Sequence, residues 1–176
     1  MAAPSSTPAP APTPAELRSL LMRANRLLGA SLVEANLVTI DQLENANEKL
    51  LELISSGTPR QCTLLGVLAY DLKAVREEDV LQHCVDEHGL GLIDLRGYEG
   101  AEEVRAKLHH AACWATWTIP FDRDEDFTLV ASAYYLSPAV RTFWEKQLGG
   151  QIIWYGTTLD EIAELLERLA ATKPAA

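Results

Sequence analysis

Leu17, Leu20, Leu21, Ala24, Leu27 and Leu28 recur at helical spacing and draw one apolar stripe along a first helix, which the pattern ends at Gly29. Its start is marked by Thr13 as a cap, Pro14 at the first helical position and Glu16 to complete a capping box. Ser31 to Ala35 reads as a short helix or turn. A second box, Thr39 with Gln42, opens a helix carrying Leu43, Ala46, Leu50, Leu51 and Ile54, and Ser55-Ser56-Gly57-Thr58-Pro59 stops it. A third helix begins at Glu77 and shows Val80, Leu81, Cys84 and Val85 on its apolar side.

These elements recur. Leu28-Gly29, Val38 and Leu43 match Leu65-Gly66, Val75 and Val80, each pair 37 residues apart, and Asn36-Leu37 matches Lys73-Ala74 in the turn between. Helical units repeated at this spacing bury one another's stripes, and two copies predict a compact bundle.

After residue 90 the pattern changes. Leu92-Ile93-Asp94-Leu95 predicts a short strand and Ala101 to His110 a helix. Thr116 to Phe121 and Phe127 to Ser132, on either side of Asp122-Arg123-Asp124-Glu125, predict a hairpin. Pro138 opens a helix to about Gln147, Gln151 to Tyr155 forms a strand, and a third box at Thr158 and Glu161 starts a helix burying Leu159, Ile162, Leu165, Leu166 and Leu169. The fold class is therefore α+β: a helical unit with two helix-turn-helix-like repeats, then a small α/β unit with a short, mostly antiparallel sheet. The expected organisation is a disordered Ala/Pro-rich tail over 1–12, a helical repeat subdomain over 13–89, a small α/β subdomain over 90–171 and a disordered tail over 172–176.

Composition narrows the function. With 15 Lys+Arg against 25 Asp+Glu the net charge is -10, and no basic patch is visible, so nucleic acid is not an expected partner. No run approaches the length of a membrane span and no leader pattern opens the chain, so a cytoplasmic protein without direct membrane insertion is expected. Cys62, Cys84 and Cys113, odd in number and widely spaced, read as reduced and buried.

Catalytic motifs are missing from the sequence: it has no P-loop, dinucleotide fingerprint or nucleophile elbow. Ser31, Ser132 and Ser137 read as turn or cap residues. Cys84 with His88 and His109 with Cys113, each pair four apart on a helix, would supply four zinc ligands if the helices faced each other. Packing is the favoured reading, because Cys84 lies on a core stripe and His88 at a helix C-terminus is favoured by the helix dipole alone. Asp122, Asp124, Glu125 and Asp126 lack the spacing of a calcium loop and read as a solvated turn. No cofactor is expected. Among the four tryptophans, Trp144 sits on a helix and Trp154 on a strand where it alternates with Ile153 and Tyr155. Trp154, Tyr135 and Trp144 are candidate interaction anchors, with core packing the other reading.

The stretches Leu28-Gly29…Leu32-Val33-Glu34-Ala35-Asn36-Leu37-Val38…Gln42-Leu43 and Leu65-Gly66…Val75-Arg76-Glu77-Glu78-Asp79-Val80, running on to Glu87-His88-Gly89-Leu90 and Leu92-Ile93-Asp94-Leu95, resemble the N-terminal domain of type II secretion and type IV pilus assembly ATPases. The resemblance covers about residues 24 to 171 and includes Thr158-Leu159-Asp160-Glu161-Ile162. It implies a non-enzymatic docking or regulatory module that contacts a protein partner, such as the cytoplasmic part of an inner-membrane assembly protein. It does not extend to the motor domain, so no ATP hydrolysis is expected. Some members of the family bind cyclic di-GMP through two Arg-Leu-Gly motifs. This chain keeps Leu28-Gly29 and Leu65-Gly66 but has Leu27 and Leu64 at the Arg positions, Asn36 and Lys73 at the internal Gly positions, and Leu50 and Glu87 at the closing Gln positions. Leucine cannot make the bidentate contacts of Arg, so cyclic di-GMP is not an expected ligand. Two alternatives stand beside docking. One is a cyclic di-GMP-responsive domain using the divergent motif, with Arg26, Leu28, Gly29, Leu65 and Gly66 as its contact set. The other is a zinc-binding or enzymatic domain around Cys84, His88, His109 and Cys113.

Overall fold

The structure, a computed structural model, describes residues 9–100 and 102–171. Most of the expected N-terminal tail (1–8), all of the C-terminal one (172–176) and Ala101 lie outside the described residues.

Helix α1 (Pro14–Glu34) and helix α2 (Ile40–Ser56) each begin with a complete capping box, Thr13 with Glu16 and Thr39 with Gln42. The short helix α3 (Leu64–Gly66) runs into a π turn (Val67–Asp71), and α4 (Glu77–His88) follows. The 37-residue recurrence is written into the backbone. Asn36 and Lys73 both take left-handed conformations, with φ of 59° and 50°. Helices α2 and α4 then start at Ile40 and Glu77, the same offset. A left-handed residue reverses a helix, and Asn tolerates it better than most side chains. The copies differ where the second widens into its π turn, so that the Ala74 N–H reaches back to the Leu68 carbonyl (2.7 Å) while Leu37 reaches only to Leu32 (2.9 Å).

Gly29 does not end the first helix. Helix α1 continues to Glu34 and absorbs the segment expected as a separate turn. The glycine serves packing instead: a Cβ there would stand 2.6 Å from Leu43 Cδ1 and 3.1 Å from Leu64 Cδ2, so α2 and α3 close onto its bare backbone. Gly66 likewise sits in helical geometry (φ -62°), with a Cβ position 2.5 Å from Cγ2 of its cap residue Thr63. Gly29→Val is expected to lower stability by about 1–3 kcal/mol through overpacking. Urea denaturation checks this, and an unchanged midpoint would show that Leu43 and Leu64 give way freely.

The sheet has the order β1-β4-β3-β2. Strands β2 (Thr118–Asp124) and β3 (Phe127–Ser132) form the expected antiparallel hairpin. Helix α7 (Pro138–Leu148) then carries the chain across to β4 (Gln151–Gly156), which pairs parallel with β3 and with β1 (Gly91–Leu92). The sheet is therefore mixed, as a helical crossover between adjacent strands requires. β1 is shorter than the pattern predicted, though the Ile93 N–H still bonds the Gly156 carbonyl at 3.0 Å. The helix expected up to His110 divides into α5 (Glu102–Ala106) and α6 (His110–Thr116). Trp114 accordingly belongs to α6, and Trp117, left-handed at φ 48°, caps its end. Helix α8 (Leu159–Ala171) closes the fold, with Leu159, Ile162, Leu165, Leu166 and Leu169 buried as expected.

One apolar core runs from Ala24 on α1 to Leu169 on α8. Polar ties cross it. Ser137 donates to the Ala24 carbonyl (2.8 Å), Ser31 to the Leu136 carbonyl (2.9 Å), and Ser132 meets Thr118 at 2.7 Å. These serines thus fasten α1 and the hairpin. Buried Glu77 accepts from the Leu159 N–H at the start of α8 (2.8 Å) and from the Tyr70 hydroxyl, and its burial raises the carboxyl above its ordinary value of 4.5. The folded chain therefore holds this proton more tightly than the unfolded chain. That contribution to stability is fully present below 4.5 and is lost as pH rises through the raised folded value. Glu77→Gln removes the titration, so its stability relative to the native protein should improve from acid toward neutral pH. Urea melts across that range check this; a difference independent of pH would contradict it.

Candidate functional site

The residues of the divergent motif are used for packing. Leu28 and Leu64 are fully buried, Leu65 and Gly29 are buried, and Gly66 is half-buried. Leu64, at a position where the resemblance expects Arg, lies against the Gly29 backbone, and its N–H donates to Asn25 Oδ1 at 3.0 Å. A network that the sequence pattern did not reveal surrounds it: buried Asn25, Thr63 and Tyr134, with Tyr134 Oη 2.6 Å from Asn25 Oδ1 and 2.7 Å from Thr63 Oγ1. The one early signal was an Asn on the apolar side of α1. Leu27 is half-buried, and Arg26 is exposed one residue away.

The His/Cys set is not brought together as a metal site. Among the described residues, no group of three or more His, Cys, Asp and Glu could hold a metal ion. Cys84 and Cys113 are buried core residues. The His109 ring nitrogen Nδ1 instead accepts from the Ala112 N–H (3.2 Å) as the cap of α6, and exposed His88 packs edge-on to Tyr135 (5.6 Å). Burial pushes the Cys84 thiol up to about 11, and Cys62 and Cys113 upward as well, so all three are protonated at neutral pH and poor as ligands or nucleophiles.

Three surface features remain. The first is a cleft of about 370 Å³ bordered by Lys49, Arg60, Tyr70, Asp71 and Asp160. Its cations are already paired, Lys49 with Asp71 (3.5 Å) and Arg60 with Glu167 (2.8 Å) and Asp160 (3.4 Å). The second is a groove of about 270 Å³ between α1 and α2, lined by Met22, Arg23, Asn25, Arg26, Leu50 and Leu51 with Asn47. The third is an aromatic cluster joining two of the expected anchors. Tyr135 and Trp154 meet edge-to-face at 5.9 Å, and the Arg141 guanidinium lies 5.0 Å from the Tyr135 ring centre. Both rings are half-buried, which suits an anchor. Trp144 is corrected to a core residue. It is 2% exposed, and its indole N–H donates to Thr116 Oγ1 at 3.0 Å, so it has no surface to offer a partner.

No protein-family model matches the chain. A type IV pilus assembly ATPase, PilB of Thermus thermophilus, is 28% identical over 116 residues, which are 66% of this chain and 12% of that protein. The chain thus spans a small part of this curated relative. Among solved structures, the N-terminal domain of XpsE is similar in two crystal forms. One has a TM-score of 0.56 and 22% identity, covering 82% of this chain and 94% of that one. The other has a TM-score of 0.52 and 19% identity, covering 90% and 99%. The helical repeats and mixed sheet described above thus build a fold resembling the N-terminal domain of XpsE.

Proposed function

We propose that this chain is a non-enzymatic docking module that binds a protein partner, as the resemblance to secretion and pilus ATPase N-terminal domains implies. The observation that carries this reading is the fold likeness to the N-terminal domain of XpsE, which spans most of both chains. The half-exposed Tyr135–Trp154 pair and the apolar groove between α1 and α2 are its candidate contact surfaces. The partner is the cytoplasmic part of an inner-membrane assembly protein, and the module works in the cytoplasm, held near the membrane by that contact. No helix among the described residues is long and apolar enough to cross a membrane.

Photo-crosslinking residues placed at Leu51, Ile153 and Trp154 test this in the cells that make the protein. An adduct with an inner-membrane assembly protein is expected from at least one position. Adducts with soluble proteins alone, or none, would overturn the reading. The alternative, a cyclic di-GMP-responsive domain, is weakened by the burial of Leu64 and by the packing around Gly29. Titration calorimetry with micromolar cyclic di-GMP is expected to give no saturable heat. A 1:1 isotherm in the low micromolar range would restore the alternative.

A further inference from the structure

Helix α1 keeps its apolar stripe in the core, yet Met22 lies off that stripe and is 46% exposed. Across the groove stands Leu51 of α2, 54% exposed, with buried Leu50 beneath. Two large apolar side chains therefore face water on opposite walls of one depression. At about 270 Å³ it is smaller than the roughly 300–1,000 Å³ that enclose a drug-sized molecule. It suits the anchor side chains of a larger partner.

Charge narrows the occupant further. Arg23 and Arg26 line the groove, and Arg18 precedes Met22 by one turn on the same face. Among the described residues the guanidinium groups of these three exposed arginines make no side-chain hydrogen bond or ion pair. Four cations elsewhere sit in ion pairs, Arg60 with Glu167, Arg76 with Asp79, Arg96 with Asp94 and Lys49 with Asp71, whereas these three lie together on one helix beside the groove. In a protein of net charge -10, cations are scarce, and three without carboxylates beside exposed methionine and leucine mark a cationic rim around an apolar slot. The matching surface is a helix with an aliphatic stripe flanked by Glu or Asp, the helix-in-groove mode of recognition.

We infer that the α1–α2 groove is the docking slot for an acidic amphipathic helix of a protein partner. This rests on the docking reading and adds the surface used and the chemistry of what binds there. Met22 and Leu51 receive the aliphatic anchors, and Arg18, Arg23 and Arg26 meet the carboxylates.

The test uses the full chain and two labelled helical peptides. One carries leucines at i, i+3, i+4 and i+7 with glutamates beside them; its twin has lysine in place of each glutamate. Fluorescence anisotropy should show the acidic peptide binding at least about tenfold more tightly, with the difference shrinking at high salt. Arg23→Glu with Arg26→Glu should reverse the preference, and Leu51→Ser should weaken the acidic peptide by about tenfold. All these positions are exposed, and circular dichroism confirms the fold. Equal binding of the two peptides, or an unchanged preference in the double variant, overturns the inference. So does saturable cyclic di-GMP binding that the double variant abolishes, because the arginines would then serve a nucleotide. The photo-crosslinking experiment separates the two levels. Adducts from Ile153 or Trp154 with none from Leu51 remove the slot and leave docking intact, whereas silence at every position removes both.

Discussion

Replacing Asn25 with Ala is expected to destabilise the fold by about 2–4 kcal/mol, although the side chain is small and belongs to no motif. Asn25 is 2% exposed and satisfied on both sides of its amide. Its Nδ2 donates to the Leu21 carbonyl (2.8 Å), while Oδ1 accepts from the Leu64 N–H (3.0 Å) and the Tyr134 hydroxyl (2.6 Å). Because Oδ1 can only accept, Tyr134 must donate to it, which leaves Thr63 to donate to Tyr134. Thr63 Oγ1 in turn accepts from the Gly66 N–H at 3.2 Å. One directed chain thus caps α3 and ties it to α1 and to the segment after β3. Alanine would strand the Leu64 N–H and the Tyr134 hydroxyl where water does not reach, and a buried donor without an acceptor costs more than the bond contributed. Tyr134→Phe removes the hydroxyl's bonds to Asn25 and Thr63 but leaves the Asn25–Leu64 bond and strands no backbone donor of α1, so a smaller loss of about 1–2 kcal/mol is expected. Urea melts of both variants check the ordering. An Asn25→Ala midpoint equal to that of the native protein would show that the network does not hold these elements together.

This network also marks the limit of what the sequence discloses. Capping boxes were legible because their partners lie three residues apart, and Thr13–Glu16 and Thr39–Gln42 close as the pattern requires. At the third box only half forms: Glu161 N–H meets Thr158 Oγ1 (3.3 Å), but the Glu161 carboxylate turns to the Leu95 N–H (2.9 Å) and the Thr157 hydroxyl (2.7 Å). A distant backbone donor outcompeted the local one. The 37-residue recurrence was legible because each copy needs the same left-handed reversal, at Asn36 and at Lys73. The bond between Asn25 and Tyr134 spans 109 residues, and the parallel pairing of β4 depends on where α7 delivers it; neither leaves a local pattern. The groove was hidden for a related reason. Met22 and Leu51 are ordinary apolar residues in two helices, and only the packing of α1 beside α2 brings them together at the surface with unpaired arginines.

The two tryptophans that the sequence left equivalent should part sharply on mutation. Trp144→Ala is expected to cost about 3–5 kcal/mol, since it empties a fully packed site and strips Thr116 Oγ1 of its indole donor. Its ring also braces Phe143 edge-on at 5.1 Å, so the loss spreads along α7. Trp154→Ala removes a half-buried ring whose edge-to-face partner Tyr135 is still held by Arg141 (5.0 Å) and His88 (5.6 Å). That surface can relax, and a loss of about 1–2 kcal/mol is expected. Binding should follow the opposite order. If the Tyr135–Trp154 pair anchors a partner, Trp154→Ala costs about 2 kcal/mol or more of affinity with the circular dichroism unchanged, the behaviour of an interface hot spot. Stability and affinity measured on both variants separate the roles. A Trp154→Ala protein that unfolds like Trp144→Ala would place both rings in the framework, leaving the α1–α2 groove as the remaining docking surface proposed for the module.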